Sequence, residues 1–148
     1  MGLRKIFSLL ALNERGMSFA INKKRKLLAL NLSSQFKYTI KYGPFKGMVF
    51  SRDHWWGGSD RAAMLLGIYE QEVLNSIMSV SSKYVVFIDL GAADGYYSIG
   101  SLVSRKFQTS YSFEISDKGR DVIQKNATSN SDNAWHRTQT ILGSRRRA

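Results

Sequence analysis

The sequence predicts an α/β protein with a parallel sheet, and three features of residues 84–115 carry this prediction. Residues 84–90 form an almost continuous apolar run, Tyr-Val-Val-Phe-Ile-Asp-Leu, which is typical of a strand buried on both faces. Gly91 and Gly95 then mark a tight turn, and a helical pattern follows at once. Residues 109–115 have the pattern of a second strand. Together these features indicate a βαβ unit, in which ligands bind beyond the carboxyl ends of the strands.

The first 34 residues are predicted to form a basic N-terminal extension. Apolar residues at helical spacing predict a short amphipathic helix near residues 6–13. The charged run Lys-Lys-Arg-Lys at residues 23–26 is interpreted as a solvated turn between helices, with contact to an anionic surface as the alternative.

Residues 35–58 are predicted to form a β-hairpin followed by a loop. Apolar and polar residues alternate over residues 36–42, which favours a half-buried strand. A Gly-Pro pair supplies a turn, and residues 45–50 are the expected return strand. The loop contains the paired Trp55 and Trp56, which either cover a cofactor site or pack a corner.

Residues 59–130 are predicted to be the N-terminal part of the main domain. Besides the two strands, the spacing of apolar residues predicts a helix over 61–78, capped by Ser59 or Asp60, and a crossover helix over 96–107. A third helix is expected to begin at Ser116 or Asp117 and to fade near residue 129.

From residue 131 the periodic pattern is lost, so residues 131–148 are expected to be a basic tail outside the fold. A complete doubly wound sheet has about six strands, and this reading finds two. The expectation is therefore a fragment, or a product in which a reading-frame change replaced the C-terminal half.

The positive charge is concentrated at the two ends of the chain. The formal net charge of the whole chain is +11, and the first 50 residues hold ten Lys and Arg against one acidic residue, whereas residues 51–135 hold eight against ten. This distribution argues against a nucleic-acid partner for the middle of the chain. The chain has no cysteine, which suits a reducing compartment, and we expect a cytoplasmic protein. No run of residues predicts a membrane span or a metal site.

The turn after the first strand suits a particular kind of ligand. Its pattern is Asp-x-Gly-x-x-x-Gly, from Asp89 to Gly95, and not the dinucleotide Gly-x-Gly-x-x-Gly. The turn carries Asp94, whose charge opposes a phosphate and suits a cationic centre. Glu114 stands 19 positions after Gly95, at the end of the second strand, where a carboxylate can accept bonds from both ribose hydroxyls. S-adenosylmethionine (SAM) has both a cationic centre and ribose hydroxyls.

These residues resemble a known family. The sequence Asp-Leu-Gly-Ala-Ala-Asp-Gly-Tyr-Tyr-Ser at residues 89–98, with Phe-Glu at 113–114, looks like the class I SAM-dependent methyltransferases, and more narrowly the FkbM group. Residues 43–48 and 66–72 are similar to segments that precede the first strand in this group, and the resemblance covers residues 42–130. It implies an incomplete Rossmann-like methyltransferase fold with an N-terminal hairpin and helical extension. It also implies O-methylation of a small molecule or a sugar.

The resemblance implies a cofactor site but no catalytic base, because that part of the family pattern lies beyond residue 148. In this interpretation Asp89 orients the turn and the amino-acid end of the cofactor, or it only bonds the turn's own N–H groups. Glu114 binds the ribose. Glu70 either reaches the cofactor or is merely solvated. Two alternatives stay open, a non-catalytic truncated product and a βαβ nucleotide-binding module that does not bind SAM. The expected SAM-binding residues are Asp89, Gly91, Ala92, Asp94, Gly95, Glu114 and Ile115.

Overall fold

The computed structural model describes the backbone of residues 3–131 and 138–142 and the side chains of residues 18–131. The described chain is a mixed α/β protein, as the sequence predicts. None of its described helices is both long enough and apolar enough to cross a membrane. In chain order the elements are α1 (Leu3–Gln35), α2 (Arg61–Leu65), α3 (Gln71–Val80), β1 (Val86–Leu90), α4 (Tyr96–Val103), β2 (Thr109–Glu114), α5 (Asp117–Ser129) and β3 (Thr138–Leu142).

The three strands form one parallel sheet in the order β1-β2-β3. Helix α4 connects β1 to β2 and α5 connects β2 to β3, so both connections are the crossovers that parallel strands require. The expectation of only two strands is therefore wrong, as is that of a tail wholly outside the fold. Strand β3 was missed because its five residues lack alternating polarity and offer only one apolar pair, Ile141 and Leu142. The rest of the predicted tail lies outside the described residues.

Strand β1 is an edge strand, and the prediction that it is buried on both faces is wrong. Ile88 is 59% exposed and Leu90 is 78% exposed. Only the other face is covered, where Phe87 packs edge-to-face against Phe107 with ring centroids 5.4 Å apart. An apolar run favours burial, but burial also needs neighbouring elements, and no described strand pairs with the outer edge of β1.

Helix α1 is one continuous helix of 33 residues rather than a short helix followed by a turn. Residues 23–26 lie within it, because Lys and Arg are good helix formers and the run contains neither Gly nor Pro. The helix ends where Lys37 and Tyr38 take left-handed backbone conformations, with φ of 51° and 57°. The N–H of Tyr38 donates to the carbonyl of Ser33 across this end.

The predicted hairpin between residues 36 and 50 is not formed. The first residues of the predicted hairpin instead form the C-terminal end of α1 and the turn after it. The chain that follows makes a single antiparallel bridge between Thr39 and Val49. The N–H of Ile40 donates to Met48 O, and that of Gly47 donates to Ile40 O. The chain therefore doubles back as predicted, but too few residues are extended to make strands.

The predicted helix over 61–78 is two helices, α2 and α3. Gly67 interrupts it with a φ of +69°, and a Cβ at this position would lie 2.0 Å from Tyr42 O. Glu70, which precedes α3, also has positive φ. The break lets the backbone of residues 41–43 approach α2, where Lys41 N–H donates to Leu65 O. Apolar residues at helical spacing do not reveal this break, because the break depends on contact with residues 41–43, which are distant in sequence.

The later helices match the sequence prediction closely. Helix α5 begins after Ser116, whose hydroxyl accepts a bond from Gly119 N, and it ends at residue 129. Helix α4 ends four residues before the predicted boundary, and Arg105 beyond it has a φ of 58°.

The hydrophobic core is formed mainly by the N-terminal half and by α4 and α5, not by the sheet. Phe45 and Tyr96 make its centre, with ring centroids 5.2 Å apart. The fully packed side chains come from residues 40–50, α2, α3, the turn after β1, α4 and α5: Ile40, Phe45, Met48, Phe50, Met64, Leu65, Leu74, Ala92, Tyr96, Ile99 and Ile123.

Candidate functional site

The turn that follows β1 is held against the carboxyl end of β2. The N–H groups of Gly91 and Ala92 both donate to Phe113 O, at 2.8 and 3.0 Å. Gly91 and Gly95 have φ of +82° and +77°, and Ala93 between them has φ of +49°. Three left-handed residues in five make this turn tight, and glycine adopts such a conformation at no steric cost.

Glu114 ends β2 directly beside this turn. Its Oε2 accepts a bond from Ala93 N at 2.9 Å, and its Oε1 accepts one from Ser116 N at 2.7 Å. The side chain is buried. Each carboxylate oxygen can accept a further bond. The carboxylate therefore fixes the turn and retains the capacity to bind a ligand's hydroxyl groups.

Asp89 lies on β1 and connects the strand to the start of α4. Its Oδ2 accepts a bond from Ser98 N at 3.2 Å. Burial raises the pKa of Asp89 above its ordinary value, and the nearby charge of Glu114 raises that pKa further. Two carboxylates thus share the edge of the sheet at the turn, which favours a cationic ligand there.

The two glycines of the turn differ in their surroundings. A Cβ at Gly91 would meet no atom within 4 Å, so this side of the turn is open to a ligand. A Cβ at Gly95 would lie 2.9 Å from Ile99 Cδ1 and 3.4 Å from Ile123 Cγ1, so Gly95 allows close helix packing. The two glycines therefore differ: Gly91 leaves space outside the turn, whereas Gly95 lies against α4 and α5.

Two further predicted site residues lie at the same edge. The side chain of Ala92 is buried in the core. Ile115 is 91% exposed just beyond Glu114, and its carbonyl accepts a bond from Arg120. Ile115 therefore presents an uncovered apolar side chain just after Glu114, whereas the side chain of Ala92 is packed into the core.

The carboxylate of Asp94 binds groups of the protein itself. Its Oδ1 accepts bonds from the backbone N–H groups of Trp55 and Trp56 at 2.8 and 2.9 Å. Its Oδ2 forms a buried ion pair with Arg61 Nη2 at 3.1 Å. The sequence analysis expects the negative charge of Asp94 to face a cationic ligand, but this charge is balanced by Arg61 instead. Asp94 joins the turn to the loop before α2.

Sequence reasoning missed Arg61 and the part played by the tryptophan loop. The guanidinium of Arg61 lies 3.8 Å from the centre of the Phe50 ring, and burial lowers its pKa. Trp55 approaches α5, because a Cβ at Gly119 would lie 3.0 Å from Trp55 Cδ1 and a similar distance from Glu114 Cδ. Trp55 is therefore a neighbour of Glu114. The Trp-Trp pair was the available signal, but its partner could not be read from the sequence.

Two asparagines of α5 were also missed. Asn126 accepts a bond from Ser51 N at 2.6 Å and donates to Asp94 O at 2.8 Å. Asn130 accepts from Val49 N and donates to Val49 O. Both side chains are completely buried. Asparagine is a poor helix former, so two of them four residues apart in a predicted helix were a usable signal.

Glu70, which the sequence leaves between cofactor contact and solvent, binds a tyrosine. The Tyr97 hydroxyl donates to Glu70 Oε2, and Tyr97 belongs to the first turn of α4. Burial, with a bond to Glu70, raises the pKa of the adjacent Tyr69 to about 12. Glu70 is exposed and lies on the α4 side of the turn, so its contact with a tyrosine accounts for its position.

The structure thus brings Asp89, Gly91, Glu114 and Ile115 to one edge of the sheet, and it turns the carboxylate of Asp94 into the protein. This edge fits a group with hydroxyls and a positive charge, since it offers two carboxylates and an open turn. Among the described residues, no group of three or more metal-ligating side chains lies together. No family model, no curated protein and no solved structure matches the chain.

Proposed function

We propose that this chain forms part of a class I SAM-dependent methyltransferase domain with a Rossmann-like sheet. Within that class, the motif at residues 89–98 supports the FkbM type. The strand order β1-β2-β3 matches one half of the classic doubly wound order 3-2-1-4-5-6. In such sheets β1 borders the switch point, so the ligand lies beyond the carboxyl ends of β1 and β2.

The single observation that carries the proposal is the contact between Glu114 and the glycine turn. A buried carboxylate at the end of the second strand touches Ala93 N at 2.9 Å and leaves the open side of Gly91 free. A ribose that lies on the turn can donate both hydroxyls to this carboxylate in charge-assisted hydrogen bonds.

The other predicted residues have distinct roles in this proposal. Asp89 fixes the start of α4 and adds negative charge near the cationic end of SAM. Gly91 permits close approach of the ligand, Gly95 permits close packing of α4, and Ile115 covers one face of the ligand. The contacts of Asp94 and Ala92 favour indirect roles, in which they hold the turn in shape.

SAM, when bound, supplies a methyl group on a sulfonium for direct displacement by a nucleophile. The protein's contribution is to hold the two reacting groups in line and to accept a proton where the nucleophile carries one. The proposed acceptor is a hydroxyl of a small molecule or a glycan. No described residue is assigned as the base. A cytoplasmic location is also proposed, and it rests on the absence of cysteine alone.

The test is equilibrium binding of SAM to the chain and to Glu114→Gln. The variant keeps the size of the side chain but replaces one acceptor oxygen by a donor, and it should bind SAM roughly tenfold to hundredfold more weakly. The matched control is Glu72→Gln on the exposed surface of α3, which should leave affinity unchanged. Circular dichroism checks that both variants fold. Absence of SAM binding, or equal weakening by the two variants, would contradict the proposal.

A second candidate is a nucleotide-binding module that does not use SAM, and one observation favours it. The sequence argument against a phosphate rests on the charge of Asp94, whereas Arg61 pairs with that carboxylate. Titration with ADP in the same assay separates the two. Tight ADP binding that SAM does not displace would favour the module. A non-catalytic chain, the third alternative, is favoured by the uncovered edge of β1 and predicts that neither ligand binds.

A further inference from the structure

A cavity lies between α1 and the loop that precedes α2. It has a volume of about 260 Å³. Its walls come from three separate parts of the chain: the last three turns of α1, the residue Tyr38 that follows it, and residues 52–61. None of the residues that line it belongs to the edge of the sheet where Glu114 and Gly91 lie. The cavity is thus a different site from the proposed cofactor site.

The charged side chains that line this cavity are all basic. Lys26, Arg52 and Arg61 line it together with His54, and the described lining contains no aspartate or glutamate. Lys26 and Arg52 are exposed, and their described contacts include no ion pair, in contrast to the neighbouring Arg25, which pairs with Asp60. Arg61 is already paired with Asp94, so Lys26 and Arg52 are the two cations of the lining that no described ion pair offsets. A bound anion would offset their charge.

Arg61, which also lines the cavity, has unused hydrogen-bonding capacity. Its Nη2 is bound to Asp94 Oδ2, whereas its Nη1 is buried and has no hydrogen-bond partner among the described residues. Buried donors are nearly always satisfied, so an unpaired guanidinium nitrogen indicates a missing acceptor. The side chain is 5% exposed and is held rigidly between Asp94 and Phe50. Such fixed geometry suits recognition of an oxyanion.

The remaining wall is apolar or carries hydroxyl groups. Ala29 and Leu30 contribute hydrocarbon, the ring of Tyr38 adds a flat surface, and Ser33 supplies a hydroxyl. An inorganic anion would leave this surface without a partner. The wall therefore favours a ligand with a small organic body next to its anionic group.

We propose that this cavity binds a small organic phosphate monoester. A phosphate monoester carries up to two negative charges and three strong acceptor oxygens. These match the two unpaired cations Lys26 and Arg52 and the unused donor of Arg61 better than a single carboxylate does. Arg52 and Lys26 provide the charge at the mouth, and Arg61 provides the fixed donor inside. The proposal is independent of the methyltransferase assignment, because it uses none of the proposed SAM-binding residues except through the Arg61–Asp94 pair.

The experiment titrates the full chain with phenyl phosphate, inorganic phosphate and phenol by calorimetry. Phenyl phosphate should bind, inorganic phosphate should bind at least about threefold more weakly because it lacks an apolar body, and phenol should not bind measurably. The double variant K26Q/R52Q should weaken phenyl phosphate binding by about tenfold or more, since it removes two charge-assisted contacts. Both positions are exposed, so the variant should fold, which circular dichroism verifies.

The matched control is K46Q/K83Q, which removes the same charge from exposed positions outside the cavity. It should change the affinity by less than about twofold in 0.15 M salt, where distant exposed charges are largely screened. Equal weakening by the two double variants would overturn the proposal in favour of non-specific charge attraction. Absence of phenyl phosphate binding would overturn it as well. If inorganic phosphate bound as tightly as phenyl phosphate, the part of the proposal that requires an organic ligand would be wrong.

Discussion

Strand β1 and the segment 38–66 have exchanged the roles that their sequences suggest. β1 is among the most apolar stretches of the chain, yet Ile88 and Leu90 are largely exposed. Segment 38–66 looks like a peripheral hairpin and loop, yet it supplies Ile40 and Phe45, which are each 1% exposed, to the centre of the core. The contrast shows that apolar residues gain free energy from burial, but that they are buried only where neighbouring elements pack against them.

Polar contacts explain why segment 38–66 is held so firmly. Asp94 binds the backbone of the tryptophan loop and pairs with Arg61, while Asn126 and Asn130 bind the backbone at Val49 and Ser51. The turn after β1 and helix α5 thus serve as a frame for the segment. β1 has a comparable partner only on its inner side, in β2.

The largest expected effect comes from breaking the frame at Asp94. Asp94→Asn leaves Arg61 buried without its counter-charge, so it should lower the free energy of unfolding by about 3–5 kcal/mol. Urea denaturation followed by circular dichroism measures this change. The control Asp53→Asn removes a carboxylate from the exposed pair with Lys125 and should leave the midpoint unchanged. Similar midpoints for the two variants would mean that the buried pair does not hold the segment.

The next comparison truncates the same residue type inside and outside. Ile99 on α4 is completely buried, and Ile99→Ala should cost about 2–5 kcal/mol of unfolding free energy. Ile88→Ala on β1 should change it by less than about 0.5 kcal/mol, because that side chain is 59% exposed. Urea midpoints of the two variants check this. A large loss for Ile88→Ala would show that β1 is covered in solution, for example by a second copy of the chain.

A smaller effect is expected at the asparagine contacts. Asn126→Ala leaves Ser51 N–H and Asp94 C=O without their partner, which should cost about 1–3 kcal/mol. Asn75→Ala is the matched control, since Asn75 lies on the exposed side of α3. Hydrogen exchange at Ser51 should accelerate only in Asn126→Ala. Unchanged exchange there would contradict a role for Asn126 in holding the segment.

Exposed apolar surface on β1 should be visible to a fluorescent dye that binds such surface. Ile88→Lys should reduce dye fluorescence while changing the unfolding free energy by less than about 0.5 kcal/mol. Leu28→Lys on the exposed face of α1 tests whether the dye binds the helix instead. A drop in fluorescence in the Leu28 variant alone would assign the main apolar patch to α1.

The smallest expected effect is a pH dependence from Asp89. Burial raises its folded pKa above the ordinary value of 3.8, so the folded state binds the proton more tightly than the unfolded state. The contribution of Asp89 to stability is therefore fully present below about pH 3.8 and is lost as the pH rises through its folded pKa. The stability of the parent chain relative to Asp89→Asn should fall as the pH rises above about 4. A difference between the two proteins that stays constant as the pH rises would contradict this expectation.

The βαβ unit could be predicted from the sequence because its signals are local. An apolar run, two glycines with left-handed conformations and a serine cap at residue 116 each act on their own few residues. Glu114 and Gly91 were also placed correctly at one edge, since the carboxyl ends of adjacent parallel strands must meet there. The hairpin, the long helix over 61–78 and the two-strand sheet were mispredicted, because each outcome depends on a partner distant in sequence.

By itself, the sequence determined the α/β class, the turn with its two glycines and the placement of Glu114 beside it. Only the tertiary structure decided that Asp94 pairs with Arg61, that Asn126 and Asn130 hold residues 49–51, and that β1 stays at an edge. The physical reason is the sequence separation over which the interactions act. Backbone conformation and hydrophobic periodicity are set within a few residues. Burial, ion pairing and the satisfaction of buried donors are set by groups 30 to 80 positions away, such as Arg61 for Asp94 and Val49 for Asn130.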